Sequence, residues 1–355
     1  MTTVPNLTKP LALKVTAKLQ PFSKGNDIEE VVVSLLRGNP ILVSGFYSDG
    51  LFLLKEIHKQ LNLKLSNKTF KEQQDYRAEY FKLSNLVLIE VIAHKLKTKK
   101  SPSIGWLKKL YPDNMHFFLS FPQIQGMNSA WQWYEKGISI PVLRNKIYPY
   151  YGTYFPTRFE HLELFENWLN RYKGAKTSAI DIGIGCGVLT LQMVKHKFQK
   201  IYATDINPNA IMGMREFMSD TKLSRKIELD CGYLFGSYQI QSELIVFNPP
   251  WLPESHESKS IDQAIYYAPN LFPDFFAEAI KRLAPDGRVL FIFSNLAQIT
   301  NVTTEHPIAK ELAHGKRFKL EKCFKKSVKA ASTKTNRDQH WRDQEEVQLW
   351  VLSKL

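Results

Sequence analysis

The chain has 355 residues, 44% of them apolar, and a formal net charge of +14. That is enough sequence for two domains, each burying its own core, and the composition excludes a disordered or fibrous chain. Three widely spaced cysteines, Cys186, Cys231 and Cys323, exclude a disulfide framework and a zinc site. No stretch of about 18 uncharged apolar residues occurs. The opening MTTVPNLTKP is not a basic stretch followed by an apolar one, so a soluble, cytoplasmic protein is expected. The charge belongs to the two ends. Residues 1–150 hold 21 Lys and Arg against 11 Asp and Glu, and residues 301–355 hold 12 against 7, whereas residues 201–300 are acidic, 8 against 12. A basic surface of this size attracts polyanions, and solvated helix faces account for it equally well.

In chain order, DIEEVVVSLLR (27–37) reads as a helix with Asp27 as its N-cap, stopped by Gly38-Asn39-Pro40. SDGLFLLKEIHKQL reads as a second helix, and TFKEQQDYRAEYFKLSNLVLIEVIAHKL, from Thr69, as a third and longer one. The basic KLKTKKSPS follows, with Lys95, Lys97, Lys99 and Lys100 close together. Residues 1–125 are therefore expected to form a mainly helical, basic domain serving substrate recognition. Residues 126–157, ending in WQWYEKGISIPVLRNKIYPYYGTYFP, read as a hairpin-like connector. Its aromatic cluster suits packing at a domain interface better than stacking on bases.

From residue 158 the pattern alternates. FEHLELFENWLNRY is helical, and strands are expected at SAIDI (178–182), KIYATD (200–205), KIELD (226–230), LIVFN (244–248) and RVLFIF (288–293). Strand and helix in alternation predict a doubly wound parallel sheet over residues 158–355. FKLEKCFKK and EEVQLWVLSK read as a closing antiparallel pair.

The chemistry concentrates at strand ends. AIDIGIGCGVLTL places Asp181, Gly183, Gly185 and Gly187 between a buried strand and a helix, where glycine admits close approach of a ligand and the helix start offers free donors. A dinucleotide fingerprint needs glycine at 188 or 190. Those positions are Val188 and Thr190, which argues against a dehydrogenase. Asp205 ends the next strand, placed for the two hydroxyls of a ribose, and Asp230 ends the one after, placed for the exocyclic amine of an adenine. The fourth strand runs into Asn248-Pro249-Pro250-Trp251.

These residues, taken in order, resemble the successive motifs of class I S-adenosylmethionine-dependent methyltransferases. The Asn-Pro-Pro-aromatic form is similar to that of the release-factor glutamine methyltransferases and of related enzymes that methylate amino groups of RNA and DNA bases. The resemblance covers residues 138–300 and implies a Rossmann-like, doubly wound, seven-stranded sheet. It further implies S-adenosyl-L-methionine as cofactor, with Gly183, Gly185 and Gly187 along its methionine part and Asp181 on its amino group. Asp205 would then hold the ribose and Asp230 the adenine, while Pro156, Thr157 and Arg158 close over the carboxylate. Trp251 stands where the glutamine-modifying members carry tyrosine, and the first 130 residues do not resemble their small helical domain.

A planar amide or aromatic amine is a poor nucleophile because its lone pair is delocalised. Acceptors that hold both of its N–H groups restore that lone pair toward an electrophile, and the Asn248 side-chain oxygen with the Pro249 carbonyl, stiffened by Pro250, suits the task. Trp251 supplies a stacking wall. His256 follows closely and reads as an ordinary loop histidine, and Cys186 as a small packing residue. The expected function is methyl transfer to a planar nitrogen of a macromolecule, either a protein glutamine or a base amine, with RNA ahead of DNA. A small-molecule N-methyltransferase and a non-catalytic, polyanion-binding module are the alternatives.

Overall fold

Local sequence already sets most element ends. The computed structural model describes residues 6–16, 18–65, 70–219, 221–254, 265–329 and 344–355. Two compact units divide the chain, Leu7–Lys136 and Gly137–Leu355. The division falls after Lys136 and not after residue 125, because WQWYEK completes the helix Phe121–Lys136 instead of joining a connector. Past it, a single antiparallel bridge, Ile138 with Ile147, is what remains of the expected hairpin.

In the first unit, helices Ile28–Leu36, Tyr47–Lys64, Phe70–Asn85, Trp106–Leu110 and Phe121–Lys136 hold most of the regular structure. Asp27 caps the first of them, its side chain accepting from the Glu29 amide at 2.9 Å. The helices accompany a five-stranded sheet that the sequence reading did not anticipate. The third helix ends at Asn85, and Val87–Ile92, expected to continue it, is the central strand of that sheet. Its β-branched residues carry more weight than the helical spacing before them, a regular ambiguity of short apolar runs. The strand turns back on Lys95–Leu96 through Ala93 and His94, both at positive φ, the two-residue turn that matches the twist of a hairpin.

The second unit is built on seven strands: β1 Ser178–Ile182, β2 Lys200–Asp205, β3 Ile227–Cys231, β4 Ser242–Phe247, β5 Leu283–Ser294, β6 Phe318–Ser327 and β7 Glu346–Lys354. They lie in the order β6-β7-β5-β4-β1-β2-β3, parallel except for β7, which is antiparallel to both of its neighbours. Helices α1 Glu160–Arg171 and α2 Val188–Lys195 pack on one face, against Ala179, Leu244, Val246 and Leu290. On the same face α3, Pro208–Met218, covers Ala203 and Ile227. The other face takes α4, Leu271–Arg282, whose Phe272, Phe275 and Phe276 meet Ile245, Phe247 and Phe291. Both faces are covered, which is why β1 and β4 are near-continuous apolar runs.

The connection after β1 leaves toward α2 on one face, and that after β4 leads to α4 on the other. The carboxyl ends of these adjacent strands therefore diverge, and the crevice between them is where a doubly wound sheet binds its ligand.

Candidate active site

Register decides which side chains share that crevice. Residues paired in a parallel ladder point to the same face, and successive residues alternate. Asp181 pairs with Ala203 on β2 and with Val246 on β4. Two residues further along β2, Asp205 extends the same face, while Gly183 and Asn248 directly follow the carboxyl ends of the neighbouring strands β1 and β4. The next member of the row is Cys231, the register partner of Asp205.

Asp181 lies fully buried. Its Oδ2 accepts from the Thr190 hydroxyl at 2.5 Å, while among the described residues nothing bonds Oδ1. Burial first, and the neighbouring Asp205 charge second, push its carboxyl up to about 7. The glycine turn then takes the chain through φ of 72°, 51° and 83° at Gly183, Gly185 and Gly187, the left-handed region that only glycine adopts freely. A methyl group at Gly183 would meet nothing within 4 Å, so this residue faces open space. One at Gly187, the N-cap of α2, would lie 2.4 Å from Met214 Sδ, so this glycine serves packing.

Asp205 is partly buried, and burial raises its carboxyl above the usual range. Its Oδ2 accepts from the Gly185 amide at 2.9 Å and Oδ1 from the Asn207 amide at 2.8 Å. Each oxygen keeps a second lone pair for a further donor. Asn207 caps α3 ahead of Pro208 and also donates to Gly152 O, and Asn209 donates to Tyr151 O, both at 2.8 Å. These two amides pin the segment around Tyr151 beside the glycine turn, where Tyr154 O stands 3.4 Å from the position a Gly185 methyl would take. The Asn-Pro-Asn spelling after β2 is the signal that could have marked them.

Two expected cofactor residues are engaged by partners within the chain. Asp230 pairs with Thr204, so it occupies the face opposite Asp205, and its Oδ2 accepts from the Ser237 amide at 2.7 Å, ordering the turn after β3. Arg158 Nη1 is 2.8 Å from Oε2 of Glu345, whose side chain is 4% exposed. A buried carboxylate needs a counter-charge, so this guanidinium is not held ready for a ligand. Thr157 is exposed. His256 lies outside the described residues.

At the motif, Asn248 is half-buried and Pro249 buried. The Trp251 Nε1 donates to Asn248 Oδ1 at 3.2 Å. His161, at 3% exposure, meets the indole edge-on at 89° with ring centroids 5.9 Å apart. Burial holds this imidazole down to about 4, hence neutral at physiological pH. The sequence reading passed His161 over as one polar letter in an amphipathic helix. Cys186, between two of the glycines, has its thiol pushed up to about 12 by burial, as a packing residue should. Among the described residues no cluster of His, Cys, Asp and Glu fit to hold a metal occurs, and no helix is long and apolar enough to cross a membrane.

Residues 163–322 match the family model described as the methyltransferase small domain. Most of the second unit is thus similar to a methyltransferase domain. A putative protein N5-glutamine methyltransferase of Methanocaldococcus jannaschii is 33% identical over 90 residues, 25% of this chain and 44% of its own length. A release factor glutamine methyltransferase of Dictyoglomus turgidum is 38% identical over 77 residues, 21% of this chain and 27% of its own. A tRNA1(Val) (adenine(37)-N6)-methyltransferase of Shewanella halifaxensis is 28% identical over 124 residues, 33% of this chain and 50% of its own. The chain thus spans half or less of each of these relatives, and the family model matches residues within the second unit.

Proposed function

We propose that the chain is an S-adenosylmethionine-dependent N-methyltransferase acting on a planar amide or amino nitrogen of a macromolecule, RNA ahead of protein. The observation that carries the reading is that Asn248, Gly183 and Asp205 stand at the carboxyl ends of the adjacent strands β4, β1 and β2, at the crevice where the connections diverge. The residues suit the cofactor. Gly183 opens onto space, Asp181 Oδ1 is a buried acceptor awaiting a donor such as an ammonium, and Asp205 keeps two acceptor positions for a ribose diol. When bound, S-adenosylmethionine supplies a methyl group on a positively charged sulfur.

The chain's own part is orientation and desolvation. The Asn248 Oδ1 and the Pro249 carbonyl accept from the two N–H groups of the acceptor and hold its nitrogen with the lone pair freed. The rigidity of Pro249-Pro250 keeps both acceptors from rearranging. The Trp251 ring then bounds the flat acceptor. The basic ends of the sequence favour RNA, and the glutamine methyltransferases among the relatives favour a protein glutamine as the second reading.

Calorimetry with S-adenosylmethionine tests the cofactor, and transfer of labelled methyl into a lysate of a strain lacking the gene tests the acceptor. Asn248→Ala is expected to bind the cofactor within about twofold of the wild type while losing at least about a hundredfold in transfer, the scale of one preorganised site acceptor. Undiminished transfer by this variant removes the mechanism, and no cofactor binding at millimolar concentration removes the whole reading.

A further inference from the structure

We propose that Trp251 is a positioning residue: its indole N–H fixes which way round the Asn248 carboxamide stands, so that the amide oxygen and not the amide nitrogen meets the acceptor. The inference rests on the methyl-transfer reading and deepens it. A carboxamide has two ends of nearly equal size, one accepting and one donating, and its terminal torsion is broad and roughly two-fold. Nothing intrinsic to asparagine therefore chooses between them. A half-turn would set the NH2 group against the N–H groups of the acceptor, two donors facing each other.

The indole nitrogen can only donate. At 3.2 Å from Asn248 Oδ1 it admits the oxygen and rejects the nitrogen, which removes the ambiguity. The oxygen keeps its second lone pair for the acceptor. Trp251 is itself fixed, since its ring packs against the apolar layers on both faces of the sheet. His161 closes it edge-on at 5.9 Å. Neither phenylalanine nor tyrosine carries a donor at that place on the ring, so tryptophan here does more than widen a stacking wall.

Two measurements on the full chain separate this inference from the reading beneath it. In 15N-labelled protein, the Trp251 indole resonance is the one of seven lost in Trp251→Phe. In Asn248→Ala it is expected to move upfield and to exchange with water at least about tenfold faster, the loss of one hydrogen bond. An unchanged resonance and exchange rate overturns the inference whether or not the chain transfers methyl groups.

The second measurement is the initial rate of labelled methyl transfer into lysate macromolecules over a range of cofactor concentrations up to saturation. Trp251→Phe is expected to lower it about tenfold with the KM for cofactor unchanged. In the Asn248→Asp background both ends of the side chain accept, and the same substitution is expected to cost less than about twofold. Equal costs in the two backgrounds overturn the inference. Should Asn248→Asp prove inactive, the indole resonance decides alone. Should wild type itself transfer nothing, the methyl-transfer reading fails and the resonance still judges the hydrogen bond.

Discussion

Asp181 is ionisable, fully buried and half-satisfied, and its chemistry follows from that. With the carboxyl pushed up to about 7, the folded chain keeps a proton that the unfolded chain loses near pH 4. Stability of the cofactor-free protein from this group is therefore fully present below about pH 4 and is lost as pH rises through 7, at up to about 1.4 kcal/mol per unit. Urea unfolding from pH 5 to 8 should show a decline in the wild type that is flattened in Asp181→Asn, and equal profiles would contradict it. Cofactor binding near pH 7 should release about half a proton, rising toward one near pH 6, seen by calorimetry in two buffers of different ionisation enthalpy. At this scale the sequence was legible where a strand end is read directly: Asp181 and Asp205 lie on one face of the sheet, as the pairing of Asp181 with Ala203 requires. It was not legible where the partner is distant in the chain. Arg158 is engaged by Glu345, 187 residues later, and the face taken by Asp230 depends on pairing with β2.

The turn between β1 and α2 combines two demands that separate at the level of the element. Gly187 begins the helix at φ 83° with Met214 directly against it, whereas Gly183, at φ 72°, faces open space. Gly187→Ala adds a contact to the backbone strain and is expected to lower the unfolding free energy by about 2 to 4 kcal/mol. Gly183→Ala carries the strain alone, about 1 to 2 kcal/mol, and its methyl group projects into the space assigned to the cofactor. Denaturant titration paired with calorimetry should therefore find stability loss greater in Gly187→Ala, and loss of cofactor affinity per kcal/mol of stability greater in Gly183→Ala. The reverse ranking would place the cofactor elsewhere. Elements were read correctly where both periodicity and punctuation were present, as in β1, β2 and α1. They were misread at Val87–Ile92, where a strand follows a helix with one residue between and no glycine or proline to mark the change.

For the molecule as a whole, the decisive property is the distribution of charge, because it bears on the acceptor where the site does not. A planar amide and a base amine present the same two N–H groups to Asn248 and Pro249, so the motif alone cannot choose between a glutamine and a nucleotide. The charge of the first unit bears on that choice, and its basic stretch is only partly available. Lys97 is paired with Glu90 at 3.2 Å, while the Lys99 and Lys100 ammonium groups stand 5.6 and 5.8 Å from the centre of the Phe46 ring. A cation over an exposed ring keeps its charge and can still meet a phosphate. If about four such cations meet single-stranded phosphates, affinity for RNA should fall about fiftyfold between 50 and 200 mM salt. Replacing Lys99 and Lys100 together by Ala should then reduce the slope of log affinity against log salt by about 1.4, and leave cofactor binding in the second unit unchanged. Fluorescence anisotropy on a labelled RNA measures both. A slope near zero, with methyl label recovered in protein, would mean that the positive charge serves solubility and that the acceptor is a glutamine.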